Sequence, residues 1–190
     1  KGSILRTSKK MHIKSNVEIA TYCAIFSREN GYDGNLVIGK GSHIGDYTII
    51  DLSSNVNIGD NVAVGPNCTF YTHDHDYTDN KKVPWKSHPL AATIQIKNGV
   101  WIGTNVTILP NVKINESVII AANTLINKNC NKKAIYGGIP GKMIKELNWS
   151  FNKLKTEFNV TMKLLGNFYR SILRNNKIRK FVKPLIYNYN

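Results

Sequence analysis

The chain has 190 residues, with 26 Lys+Arg against 12 Asp+Glu and a net charge of +14; that suffices for one domain with an appendage and is too short for separate cofactor and substrate lobes. At 42% hydrophobic and 20% charged residues it lies outside the compositions that stay unfolded. No run approaches the roughly 20 apolar residues that cross a bilayer, and no basic-then-apolar leader opens the sequence, so neither a membrane span nor a signal peptide is expected.

Aliphatic residues first recur six apart at Ile13, Ile19 and Ile25, ahead of an interrupting turn at 30–35 (NGYDGN). The interval returns at Ile38, Ile44 and Ile50, skips two residues to Ile58 and Val64, and runs without slip from Ile96 through Ile102, Ile108, Ile114 and Ile120 to Ile126. From Ile38 onward, eight of the eleven residues three places after each aliphatic are Gly or Asn, the types that enter left-handed backbone most cheaply. All eleven residues four places after are small or β-branched. The chain holds 24 Asn and 23 Ile but only 12 Leu and 8 Ala, and the corner positions show that this surplus is positional rather than a matter of codon usage. A period of six fits neither an amphipathic helix nor an alternating strand; it fits short strands joined by corners, as in a parallel β-helix.

On these residues the chain resembles the left-handed β-helix (hexapeptide-repeat) acyltransferases over 38–145. The stretch from Asn98–Thr107 (NGVWIGTNVT) through Tyr136–Lys145 (YGGIPGKMIK) resembles their maltose, galactoside and polysaccharide O-acetyltransferase branch. The resemblance implies an all-β solenoid, a left-handed parallel β-helix over residues 1–145 with an inserted loop at about 71–95, and a homotrimer with interfacial active sites. Cys23, Cys68 and Cys130 all fall in the small inward slot of a repeat, where a free thiol packs as a compact hydrophobe. An odd count without a signal peptide points to a reducing compartment, so a cytoplasmic location is expected.

The interruption between Phe70 and Ile96 holds three of the five histidines. Attack of a hydroxyl on a thioester needs a base for the hydroxyl proton, and imidazole suits that task near neutrality. The resembled family uses one histidine of this loop; counted from Pro66-Asn67 it falls on His75, with His73 the close rival, since alternating geometry points both the same way. His88 is the third candidate base and, like Trp85, a candidate for the acceptor site; Trp85 serves equally as a loop anchor. Asp74 and Asp76 read as solvated loop charge.

The cofactor the resemblance implies is acetyl-CoA, as acyl donor, with no metal. Trp101 matches a tryptophan beside the thioester arm, and packing between subunits is compatible with that role. Thr104 and Ala122 match backbone contacts to the pantetheine, Asn127 and Lys128 lie toward the nucleotide end, and Lys142 and Lys145 match basic positions facing phosphates. Asn127 and Lys142 depart from the residues common in the family.

Residues 146–190 carry 9 basic and 2 acidic residues, half of the net charge. Trp149, Leu154, Phe158, Met162, Leu165, Phe168, Ile172 and Leu173 recur there at helical spacing. A helical extension is expected, either capping the last coil or docking on anionic lipid at the inner face of the membrane. No nucleic-acid reader module is present. The function expected is an acetyl-CoA-dependent O-acetyltransferase acting on a sugar hydroxyl, of a surface polysaccharide or its precursor. The alternatives are a xenobiotic or amino-sugar N-acetyltransferase, a non-catalytic β-helix, and a zinc carbonic anhydrase on the same scaffold, which needs three histidines and a pair five apart that this chain lacks.

Overall fold

The computed structural model describes residues 2–6, 11–78 and 83–147; the helical extension expected over 146–190 falls outside them from residue 148 onward. The described residues form short strands stacked in coils. β1 (Ile4–Arg6) precedes coil one, which is β2 (Met11–Ile13), β3 (Glu18–Ile19) and β4 (Ala24–Phe26). Coil two is β5 (Leu36–Ile38), β6 (His43–Ile44) and β7 (Ile49–Asp51); coil three is β8 (Val56–Ile58), β9 (Ala63–Val64) and β10 (Thr69–Phe70). An antiparallel pair, β11 (His73–His75) and β12 (Pro89–Ala91), then leaves the solenoid. Coil four is β13 (Ile94–Ile96), β14 (Trp101–Ile102) and β15 (Thr107–Ile108), and coil five is β16 (Lys113–Ile114), β17 (Ile119–Ile120) and β18 (Leu125–Ile126). β19 (Ala134–Gly137) and β20 (Lys142–Glu146) close the described solenoid as an antiparallel hairpin.

Each coil lays one strand on each of three parallel sheets, giving the left-handed β-helix. The first face is β2, β5, β8, β13 and β16; the second runs from β3 through β6, β9, β14 and β17 to β19 and β20; the third is β1, β4, β7, β10, β15 and β18. Register places like on like: Ile38, Ile58, Ile96 and Ile114 stack on the first face, Ile44, Val64, Ile102 and Ile120 on the second, and Ile50, Phe70, Ile108 and Ile126 on the third. All are buried, each stabilising the fold by about 1.5–3 kcal/mol relative to an exposed side chain. The expected coil at Ile13, Ile19 and Ile25 is present, but Ile13 is exposed at the open end.

The corners decide the shape. At the first edge, between the first and second faces, Asn16, Gly41, Asn61, Gly99 and Ser117 have positive φ; at the second edge, between the second and third faces, Tyr22, Tyr47, Asn67, Asn105 and Asn123 do. Coils there approach so closely that a Cβ added at Gly65 would sit 2.8 Å from backbone atoms of Gly103 and Thr104. The third edge, which returns the chain to the first face of the next coil, breaks the rule. Of the corner residues expected there, Asn111 has positive φ, whereas Ser53 and Asn129 do not. The two longest connections between coils lie at this edge, 27–35 after β4 and 71–93 after β10, and so does the two-residue slip of the repeat after Ile50.

Asn105→Val is expected to lower stability by about 1–2 kcal/mol, because a β-branched residue is forced into left-handed backbone, whereas Asn105→Gly should stay near wild type; thermal unfolding of the two variants checks this. Cys23, Cys68 and Cys130 are free and buried, and burial pushes all three thiols up, Cys130 to about 12. The folded protein should therefore react slowly with Ellman's reagent, while all three thiols react once it is unfolded in denaturant.

Candidate active site

The insertion leaves the solenoid at the third edge directly after Phe70, and β11 carries His73 and His75 out on one side of an extended segment. As alternation requires, the rings face each other, with centroids 5.8 Å apart and planes at 84°. Asp74, between them, points to solvent, and its Oδ1 accepts a hydrogen bond from the His75 backbone N–H. Asp76 turns to Thr78, so neither aspartate orients an imidazole.

The carboxylate that does so is Asp51, at the end of β7 and fully buried. His73 Nδ1–H donates to Asp51 Oδ2 at 2.7 Å. The same carboxylate accepts from the Ser53 N–H and hydroxyl (3.0 and 2.7 Å), the Arg28 N–H (3.2 Å), and the Thr72 N–H and hydroxyl (3.0 and 2.9 Å). Burial pushes the Asp51 carboxyl up, but the hydrogen bonds from His73, Ser53 and Thr72 outweigh it and hold the group below the usual carboxylate range. The result is a buried anion with its lone pairs satisfied, the condition under which such a charge is tolerated.

His75 is anchored more lightly, its Nδ1–H donating to the Ser87 carbonyl at 3.3 Å. With both Nδ1 atoms engaged, both Nε2 atoms are left to meet a ligand. Between them lies Glu29, from the connection after β4, with Oε1 at 3.5 Å from His73 Nε2 and 3.8 Å from His75 Nε2. The Glu29 N–H donates to Ser53 Oγ and the Arg28 N–H to Asp51, which fastens that connection to the next coil. Tyr71, Asp74, Leu109 and Pro110 complete a cleft of about 260 Å³ with the two histidines.

A second, larger cavity of about 630 Å³ adjoins it, bounded by Tyr32, His88, Leu90, Ala92, Pro110 and Asn127 among others. Thus His88 and Asn127 share one hollow, and the Tyr32 hydroxyl lies 3.4 Å from His88 Nε2 and donates to the Pro89 carbonyl. Trp85 is exposed on the 3-10 turn Pro84–Lys86, with the Lys86 ammonium over its ring at 5.0 Å; it lines neither cavity. Trp101 stands exposed on β14 of the second face, and Thr104 and Ala122 lie at the second edge. Lys128 follows Asn127 at the third edge, while Lys142 and Lys145 are exposed on β20. The expected cofactor residues therefore divide between two edges of the protomer.

Sequence reasoning missed Asp51 and Glu29. One signal was available for Asp51: a carboxylate closing an aliphatic strand where the repeat slips by two residues. Glu29 gave none, since its role depends on which coil stacks on which.

The bacterial transferase hexapeptide (six repeats) family model matches residues 93–128. The chain is 30% identical over 135 residues to the galactoside O-acetyltransferase of Escherichia coli, covering 68% of this chain and 65% of that protein. Among solved structures it is similar to AntD, an N-acyltransferase from Bacillus cereus in complex with dTDP and coenzyme A (TM-score 0.63, 25% identity, 82% of this chain and 88% of that one). It is similar also to the hexapeptide-repeat acetyltransferase VCA0836 of Vibrio cholerae complexed with acetyl coenzyme A (TM-score 0.59, 25% identity, 78% and 72%). The chain spans 58–65% of the length of the first curated relatives it matches. Its repeat, its three-faced solenoid and these likenesses agree: the chain carries the bacterial transferase hexapeptide repeat and is similar, in repeat and in left-handed β-helix fold, to the acyltransferases built on it.

Proposed function

We propose that the protein is an acetyl-CoA-dependent O-acetyltransferase that modifies a sugar hydroxyl, of a surface polysaccharide or its precursor. The observation that carries this reading is a pair of imidazoles, each held through Nδ1, whose Nε2 atoms meet at an open cleft on an otherwise regular hexapeptide solenoid. Of the two, His75 takes the base role: it is the more exposed, 26% against 11% for His73, and it is the position the family resemblance selects. Its Nε2 accepts the hydroxyl proton as the oxygen attacks the thioester carbonyl, and the tetrahedral intermediate then expels the CoA sulfur, which leaves with that proton. His73, clamped by Asp51, holds the root of the hairpin and the field around His75. The galactoside relative and the acetyl-CoA complex of a structural neighbour support the acyl donor and the acceptor class. The likeness to an N-acyltransferase makes amino sugars the second acceptor class to test.

Trp101, Thr104 and Ala122 lie at or beside the second edge, and the histidines at the third, so one protomer does not bring them together. We read the site as completed between copies of a homotrimer, the second edge of one protomer facing the third edge of the next. Three unpaired cysteines suit a reducing compartment, and the +7 carried by residues 146–190 suits contact with an anionic membrane surface.

Thiol release from acetyl-CoA with a panel of sugars and glycans should fall by about 10²–10⁴-fold in His75→Ala. Release that survives both His75→Ala and His73→Ala overturns the general-base reading. Asp51→Asn should lower kcat with little change in KM for acetyl-CoA, since Asp51 sits behind His73 rather than on the ligand. For the shared site, His75→Ala and Trp101→Ala protomers, each inactive alone, should regain part of the activity when refolded or co-expressed together; no recovery in verified mixed trimers counts against it.

A further inference from the structure

We propose that His73 Nε2, His75 Nε2 and Glu29 Oε1 form a binding site for a divalent transition-metal ion. The three atoms lie within 4.8 Å of one another, and Glu29 Oε1 is 3.5 and 3.8 Å from the two nitrogens. Donors bound about 2.0–2.2 Å from a tetrahedral zinc ion lie about 3.4 Å apart; the two carboxylate–imidazole spacings are already near that value, and the histidine donors, within 4.8 Å of each other, draw together to close around an ion.

The outer contacts carry the inference further than spacing alone. A metal-ligating histidine donates its remaining N–H to a carboxylate or backbone carbonyl, which fixes the tautomer and aims the other nitrogen's lone pair at the ion. Both histidines do this: His73 Nδ1–H donates to buried Asp51, and His75 Nδ1–H to the Ser87 carbonyl. Two imidazole lone pairs and a carboxylate oxygen then converge with no donor hydrogen between them. A proton on one ring relieves one contact, whereas a metal ion satisfies all three. Two imidazoles and one carboxylate suit Zn²⁺, Co²⁺ or Fe²⁺ and not the all-oxygen preference of Mg²⁺ or Ca²⁺. The cleft toward Tyr71 and Leu109 leaves room for water as a further ligand. The family resemblance implied no metal, and the histidine pair five apart that a zinc site of the carbonic anhydrase kind needs is absent; the third ligand here is a glutamate from another coil.

A bound ion occupies both Nε2 lone pairs, so the metal-loaded form has no base to take the hydroxyl proton. This consequence rests on the acetyltransferase reading; metal binding itself does not. The test is a titration of chelator-treated protein with Co²⁺, followed by its visible ligand-field absorption, then displacement by Zn²⁺. One equivalent should bind, and Glu29→Gln and His73→Asn should each weaken binding at least tenfold, with circular dichroism and thermal midpoint near wild type. His75→Asn, read in the same way, stands in if either variant melts early. Asp51→Asn should weaken binding by about 10–100-fold through the outer contact alone. Failure of the wild type to bind Co²⁺ well above the protein concentration, or equal affinity in Glu29→Gln and His73→Asn, overturns the site. Thiol release from acetyl-CoA should fall on Zn²⁺ loading and return with EDTA; full turnover at saturating Zn²⁺ overturns the blocking effect. A protein that binds Co²⁺ as stated yet transfers acetyl to no acceptor sinks the function and leaves the site.

Discussion

Everything in this molecule depends on a backbone constraint met once per face: one residue in six must enter the left-handed region so that an extended strand turns a corner within four residues. Where Asn or Gly supplies that turn, the aliphatic residue before it points inward and meets its counterpart one coil away, and the ladder of backbone hydrogen bonds between coils stays in register. Tyr22, Tyr47 and Ser117 adopt the same conformation despite their side chains, so the stacking of neighbouring coils is strong enough to impose it. Tyr22 and Tyr47, one above the other at the second edge, recover something by ring stacking at 5.2 Å.

A solenoid that obeys this rule at every corner is a smooth prism with little to offer a substrate. The third edge is where the rule is relaxed, and Glu29, Asp51, His73 and His75 collect there. The connection carrying Glu29, the end of β7 with Asp51 and Ser53, and the histidine hairpin lie on neighbouring coils at that edge and are joined by hydrogen bonds from Arg28, Glu29 and Thr72. Loops are thereby held by a rigid scaffold, which is how positioned side chains are usually achieved. The buried Asp51 carboxylate is the node: it receives backbone N–H groups from Arg28, Ser53 and Thr72, the hydroxyls of Ser53 and Thr72, and one imidazole. A charge removed from water in this way is costly unless fully hydrogen-bonded, and the number of its donors explains why the connections converge on it.

The opposing demands on the two imidazoles also come from this node. Anchoring Nδ1 leaves Nε2 as a lone-pair donor, which is what both a general base and a metal ligand require. On the two proposals made above, the same geometry would serve proton transfer when the cleft holds a hydroxyl and ion capture when it holds a metal, with Glu29 deciding how strongly the second competes with the first.

The sequence by itself determined the fold. Every aliphatic of the eleven from Ile38 to Ile126 is buried, nine of the eleven residues three places on have positive φ, and His73 and His75 face the same way, because each of these follows from local periodicity alone. It also showed each irregularity: the NGYDGN turn, the two-residue skip after Ile50, and the insertion after Phe70. What it could not show is that these three share one edge, because adjacency between coils depends on how many faces the intervening chain crosses. Only the tertiary structure brought Asp51 to His73 and Glu29 to both imidazoles, and set Trp101 and Thr104 at a different edge from the histidines they were expected to join. Burial against a neighbouring coil turns a carboxylate into the anchor of an imidazole, and no hexapeptide read alone contains that neighbour.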